Sequence, residues 1–260
     1  MIFDSHVHLN DKKIYDNLDK YIKEAVDAGV SKFLCVGYDI ESSKLAIDIA
    51  NKYHCVYAAI GMHPTELKDL NIDYIAEIEK MINNPKVVAI GEIGLDYYWD
   101  NVDRSIQKEY FAKFIKLAYK YKLPISLHVR DALEDTLNIL RENKEYLTKG
   151  VMHCYSGPKE MIKDFVDLGM YISLGGPVTF LNAKKVHEVA KSVNIDKLLV
   201  ETDVPYLAPH PLRGKMNEPK FIVYTVNQIA LLRNETKEYI ESKTYQNALD
   251  LLGIKDEKED

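Results

Sequence analysis

The sequence predicts an α/β fold, a (β/α)8 TIM barrel in a single domain, on three observations. Eight short apolar runs, at 2–8, 32–37, 55–60, 87–91, 124–128, 150–154, 170–174 and 197–201, alternate with stretches of helical spacing. Eight strand–helix units over about 250 residues match the size of such a barrel. Polar residues of one chemical kind also gather at the carboxyl ends of these runs, where a barrel places its active site. A doubly wound open sheet is the structural alternative, but no Gly-rich phosphate fingerprint follows the first strand. No Gly/Ser/Pro-rich linker interrupts the pattern, so residues 1–253 are read as one domain, with an acidic, disordered tail at 254–260.

Taken in order, the first run, IFDSHVH, puts Asp4, His6 and His8 on one face of an extended segment and Phe3, Ser5 and Val7 on the other. Three polar groups on a buried face need partners. In 16–28, Leu18, Ile22, Ala25 and Val26 form a helical stripe closed by Gly29. Cys35 and Cys55, in the second and third runs, read as core packing, and His54 and His187 as surface residues. The fourth run, VVAI, leads into Gly91-Glu92; a helix with Ile106, Tyr110, Phe114, Leu117 and Tyr121 follows over 103–122. The fifth run ends in His128-Val129-Arg130, the sixth in His153-Cys154, and the eighth in Thr202-Asp203. In 217–233, Asn217 suits an N-cap, Pro219 the first turn, and Ile222, Val226 and Ile229 a buried stripe.

Composition narrows the function. With 34 basic and 40 acidic residues the net charge is −6, and no dense basic run is present, so nucleic-acid contact is expected to be local. No apolar run reaches the ~18 residues of a membrane span, and the N-terminus carries no secretory pattern. Three scattered cysteines without CxxC spacing read as reduced thiols, which suggests the cytoplasm.

Five strand ends deliver His6, His8, Glu92, His128, His153 and Asp203. Six N and O ligands are more than one divalent ion usually takes from protein and suit two ions about 3.5–4 Å apart. The absence of cysteine from the set points to open, catalytic coordination. Strand parity places Asp4 beneath His6 and Glu201 beneath Asp203, where a carboxylate can orient a ligating imidazole. Arg130, two residues beyond His128, is expected one layer above, able to grip phosphate bidentately. Arg213 is a second candidate for a flanking phosphate, and His210 in the same loop could face the site. Tyr97, Tyr98 and Trp99 follow Glu92 as an aromatic run; Tyr98 and Trp99 could stack on terminal bases.

The stretches DSHVHLN, GMHP (61–64), GEIGLDYY (91–98), HVRDA (128–132), HCYSG (153–157), SLGG (173–176), ETDVPYL (201–207) and PLRGKMNEP (211–219) together resemble the TatD-type metal-dependent deoxyribonucleases, a branch of the amidohydrolase-like TIM-barrel hydrolases. The resemblance spans nearly the whole chain. It implies a distorted barrel with His6, His8, Glu92 and Asp203 around one metal and Glu92, His128 and His153 around the other. Glu92 then bridges where some relatives use a carbamylated lysine. It places His63 and Arg130 on the scissile phosphate. Asp203, a ligand with a free oxygen, is read as the proton acceptor and later donor. The activity implied is divalent-metal hydrolysis at nucleic-acid ends, a 3′–5′ exodeoxyribonuclease on single-stranded DNA, with Mg, Mn, Zn or Fe all compatible with mixed ligands. Deacylation of D-aminoacyl-tRNA is the rival reaction, and a non-catalytic nucleic-acid binder the rival class. No obligate protein partner is expected.

Overall fold

Strands buried on both faces read as near-continuous apolar runs, which is how parallel sheets covered by helices are built. The computed structural model describes residues 1–69 and 71–255. Its strands are β1 (Ile2–Val7), β2 (Val30–Val36), β3 (Val56–Ile60), β4 (Val87–Asp96), β5 (Ile125–Arg130), β6 (Gly150–Met152), β7 (Met170–Leu174) and β8 (Leu198–Val200). They form one parallel sheet in chain order. The helices are α1 (Lys12–Tyr15), α2 (Leu18–Asp27), α3 (Ile40–Lys52), α4 (Tyr74–Glu79), α5 (Arg104–Tyr121), α6 (Leu133–Glu142), α7 (Ile162–Asp167), α8 (Lys184–Ser192), α9 (Ile222–Arg233) and α10 (Lys237–Leu252).

Two apolar layers result. Phe3, Leu34, Ala59, Ala89, Val151 and Leu199, from six different strands, fill the barrel interior, and Tyr245, Leu249 and Leu252 of α10 close its amino-terminal end. The opposite strand faces pack Phe33, Ile90 and Leu127 against helix residues such as Phe111, Phe114 and Ile222. Ile254 packs on the α10 layer, so the folded unit runs past 253; residues 256–260 of the expected tail lie outside the described residues.

The sheet closes between β8 and β1 through the His6 and Val204 carbonyls, which accept from Asp203 N at 2.9 Å and His8 N at 3.0 Å. Asp4 continues this seam with its side chain, accepting from Thr202 N at 2.9 Å and Thr202 Oγ1 at 2.5 Å. This corrects the expected alternation. Between Asp4 and Val7, β1 carries one residue more than the Phe33–Cys35 stretch it pairs with. Such a bulge re-aims side chains. Ser5 lies within the barrel, 3.1 Å from Ser173 across it, while Asp4 turns into the seam and touches no imidazole.

Three other expectations change. β4 continues to Asp96, five residues beyond its apolar run, paired with β5 as far as Arg130. Val26 is 48% exposed, off the buried stripe of α2. Asn217 does not cap α9, which begins five residues later; its amide donates to the Thr202 and Tyr206 carbonyls at 2.8 and 2.7 Å and pins the loop after β8.

Candidate metal centre

Glu92 organises the carboxyl mouth of the barrel. A register break in β4 between Ile90 and Ile93 brings it inward, buried to 4% exposure. Its two oxygens face different partners. Oε2 lies 3.7 Å from both His6 Nε2 and His8 Nε2. Oε1 lies 3.0 Å from His128 Nδ1, 3.4 Å from His153 Nε2 and 3.8 Å from His63 Nε2. Asp203 completes the first set, with Oδ1 3.5 Å from His8 Nε2 and 3.9 Å from His6 Nε2. The φ of Asp203, +57°, is a left-handed value that non-glycine residues adopt at a cost, as functional sites often do.

The proton positions implied by the surrounding hydrogen bonds test whether these groups suit a cation. His8 Nδ1 lies 2.9 Å from the Val36 carbonyl, which can only accept, so Nδ1 carries the proton and Nε2 presents a lone pair to two carboxylates. His153 repeats the pattern: Nδ1 is 3.0 Å from Glu201 Oε1, leaving Nε2 towards Glu92. His128 stands between Asp96 Oδ2, at 2.8 Å from Nε2, and Glu92. Lone pairs aimed at carboxylate oxygens repel unless a cation or proton lies between them. Carboxylate- or carbonyl-backed imidazoles are also the usual support of metal-ligating histidines. The donor set therefore fits divalent ions. His6, His8 and Asp203 present donor atoms within 4.8 Å of one another, and so do His63, Glu92 and His128.

The electrostatics agree. Burial works to raise the Glu92 carboxyl, but hydrogen bonds from His128 and His153 outweigh it and hold it well below the usual range. Burial likewise opposes protonation of His8, His128 and His153, yet neighbouring carboxylates raise all three above the ordinary imidazole value. Burial, reinforced by His153, pushes His6 the other way.

His63 differs from the ligands. Its Nδ1 lies 2.7 Å from Thr65 Oγ1 and 3.3 Å from the Thr65 backbone N–H, which turns Nε2 towards Glu92 Oε1, 3.8 Å away. Burial beside His128 lowers its pKa to about 3, which keeps the ring neutral. His63 lies close enough to Glu92 and His128 to be grouped with them as a possible ligand set. Arg130 is exposed over the Tyr98 ring, 3.6 Å from its centroid and 6.0 Å from that of Trp99. A cavity of about 360 Å³ joins His63, Trp99 and Arg130 to the metal-ligand candidates.

Other expected residues fall elsewhere. Arg213 sits over Phe180, at 4.4 Å, and borders a separate cavity of about 270 Å³ with His210 and Asn182, so neither it nor His210 lines the metal cavity. Tyr97 turns away, donating to Asp135 at 2.6 Å. Glu201 Oε1 lies 3.0 Å from Nδ1 of the His153 imidazole, whereas Asp4 does not meet that of His6. Asp96 was missed; it shares a strand face with Glu92, but the apolar run that marked β4 ends at Gly91.

A family model described as TatD related DNase matches residues 3–253. A metal-dependent hydrolase of Bacillus subtilis, YabD, whose name calls it uncharacterised, is 44% identical over 98% of this chain and 100% of its own length. A protein of Citrobacter koseri named 3′-5′ ssDNA/RNA exonuclease TatD is 30% identical over 97% of this chain and 99% of its own. Among solved structures, the Escherichia coli TatD homolog YjjV superposes with a TM-score of 0.93 at 28% identity, covering 98% of each chain.

Proposed function

Because the chain belongs to the family of TatD-related DNases, which are metal-dependent hydrolases, we propose that it hydrolyses phosphodiester bonds at the ends of single-stranded DNA, as a 3′–5′ exodeoxyribonuclease of the cytoplasm. The observation that carries this reading is the division of Glu92, one oxygen towards His6 and His8 and the other towards His128 and His153. Two divalent ions held by these residues and Asp203 would supply an acidified water and a Lewis-acid grip on phosphate oxygens.

The chain's own groups do the rest. Asp203, with Oδ1 turned to the imidazoles, has a second carboxylate oxygen able to take the proton of the attacking water and return it to the leaving oxygen. His63, neutral and with Nε2 towards the site, contacts a phosphate oxygen, and Arg130 neutralises developing charge. Backbone contacts carry no sequence information, so cleavage should tolerate any sequence. The name of the Citrobacter koseri relative supports both the single-stranded substrate and the polarity. The net charge of −6 suits trimming of ends over gripping long duplex.

The test is product mapping on end-labelled single-stranded DNA with added Mg, Mn or Zn, run beside D-tyrosyl-tRNA. We expect stepwise loss of 3′ nucleotides, abolished by chelator and by Glu92→Gln. Undiminished cleavage by E92Q would sink the two-metal assignment; deacylation without DNA cleavage would move the activity to carboxylic ester bonds.

A further inference from the structure

A second cavity, of about 470 Å³, adjoins the metal-ligand cluster and shares His128, Arg130, His153, Asp203 and Tyr206 with the first. The chemistry of the two arms differs. The first is lined beyond the ligands by ionisable groups including His63, Glu66 and Asp96. The second is lined beyond the shared residues by Val129, Cys154, Ser156, Pro177 and Leu207, with the Ser156 hydroxyl as its one strong hydrogen-bonding side chain. Two large side chains at its rim, Tyr206 and Leu207, are 51% and 41% exposed.

This wall is held in place. Leu207 has φ +54°, a left-handed value uncommon for a branched residue. Its carbonyl oxygen approaches Gly176 so closely that a Cβ there would lie 2.0 Å away. The loop after β7 and the loop after β8 are further joined by His210 N donating to Thr179 Oγ1 at 2.7 Å. Two rigid loops thus keep Pro177 and Leu207 facing the cavity, a pre-formed apolar surface that needs little ordering on binding.

Resting on the phosphodiesterase reading, we propose that this second arm is a nucleobase subsite. It takes the base of one of the two nucleosides flanking the scissile phosphate and holds it by its faces. A phosphate in the metal cluster necessarily carries a nucleoside on each side when it lies within a strand, and the shared residues place both arms against that phosphate. Beyond the residues it shares with the first arm, the second offers a sugar–phosphate backbone only the Ser156 hydroxyl. A flat base needs apolar contact and tolerates a single hydroxyl at its edge, so the arm accepts all four bases.

The test uses the metal-loaded full chain and single-stranded oligonucleotides carrying a tetrahydrofuran abasic residue on one side or the other of the scissile phosphate. At one of these positions the missing base should lower kcat/KM about tenfold, the scale of one lost base contact. Leu207→Ala should lower it comparably on the intact strand and cause no further loss on that abasic strand, because both remove the same contact. Equal turnover with a base absent from either side overturns the subsite, as do losses that simply multiply. A second measurement does not depend on turnover or on the variant folding: a deoxynucleoside monophosphate should slow alkylation of Cys154, which lines this arm, and leave Cys55 unaffected. Absence of all DNA cleavage would overturn the phosphodiesterase reading, and the subsite would then stand or fall on Cys154 protection alone; no protection overturns it.

Discussion

His128 lies between two carboxylates, and the one not anticipated, Asp96, also fixes the following turn. Asp96 Oδ1 accepts from Tyr98 N at 3.0 Å and Trp99 N at 3.1 Å, while Oδ2 meets His128 Nε2 at 2.8 Å. Asp96→Asn retains an oxygen for the two amides and removes the charge behind the imidazole. Loss of such outer support typically costs 10–100-fold in metal affinity. We therefore expect D96N to bind metal about 10–100-fold more weakly by calorimetry while its melting temperature without metal changes little; unchanged affinity would show that Asp96 serves the turn alone. The six ligand candidates were legible because each stands at the end of an apolar run, where residue type speaks directly. Asp96 was not, because the hydrogen-bonded strand outlasts its apolar run: Gly91, Glu92 and Gly94 break the hydrophobic signal while the ladder to β5 continues. Gly94 permits this, since a Cβ there would lie 2.1 Å from the His128 carbonyl oxygen.

Elements supply what single residues do not announce. Eight apolar runs gave the barrel and the helix periodicities over 16–28 and 103–122, because burial on both faces leaves a strong pattern. The bulge in β1 left none: an extra residue between Asp4 and Val7 changes which side chains share a face without changing composition. Asp4 was expected to orient His6 and instead completes the β8–β1 seam through Thr202, immediately before Asp203. Removing it leaves a buried backbone N–H without its partner, which costs about 1–3 kcal/mol. Asp4→Ala should therefore lower the melting temperature by several degrees, at about 2–4 °C per kcal/mol for a chain of this size. Asp4→Asn, keeping an acceptor for Thr202 N, should restore much of the loss in the same thermal melt. If D4A and D4N melted alike at the wild-type temperature, the seam would be held by the backbone bonds alone.

For the whole molecule, the barrel brings Glu92, Asp203, Glu201 and Asp96 against the imidazoles of His6, His8, His128 and His153, so folding concentrates carboxylates that only a cation can reconcile. Without metal, that cation is a proton. Opposed by burial but driven by the carboxylates, His8 and His128 are raised, and His153 well raised, above the ordinary value near 6.5. A histidine whose folded pKa exceeds its unfolded one contributes stability in full below pH 6.5, and loses it as pH climbs through the folded value. The metal-free protein should therefore become less stable from about pH 6.5 upwards, as protons leave and carboxylates face bare lone pairs. Divalent ions take over the same role without titrating in that range, and ligands must be deprotonated to hold them, so metal binds more tightly as pH rises and releases protons when it does. Thermal melts at pH 6, 7, 8 and 9, with chelator and with saturating metal, should show a gap that widens with pH. A weakly buffered titration at pH 7 should acidify as metal is added. A constant gap, or a chelated protein that gains stability with pH, would mean that the carboxylates are reconciled by groups other than these three histidines.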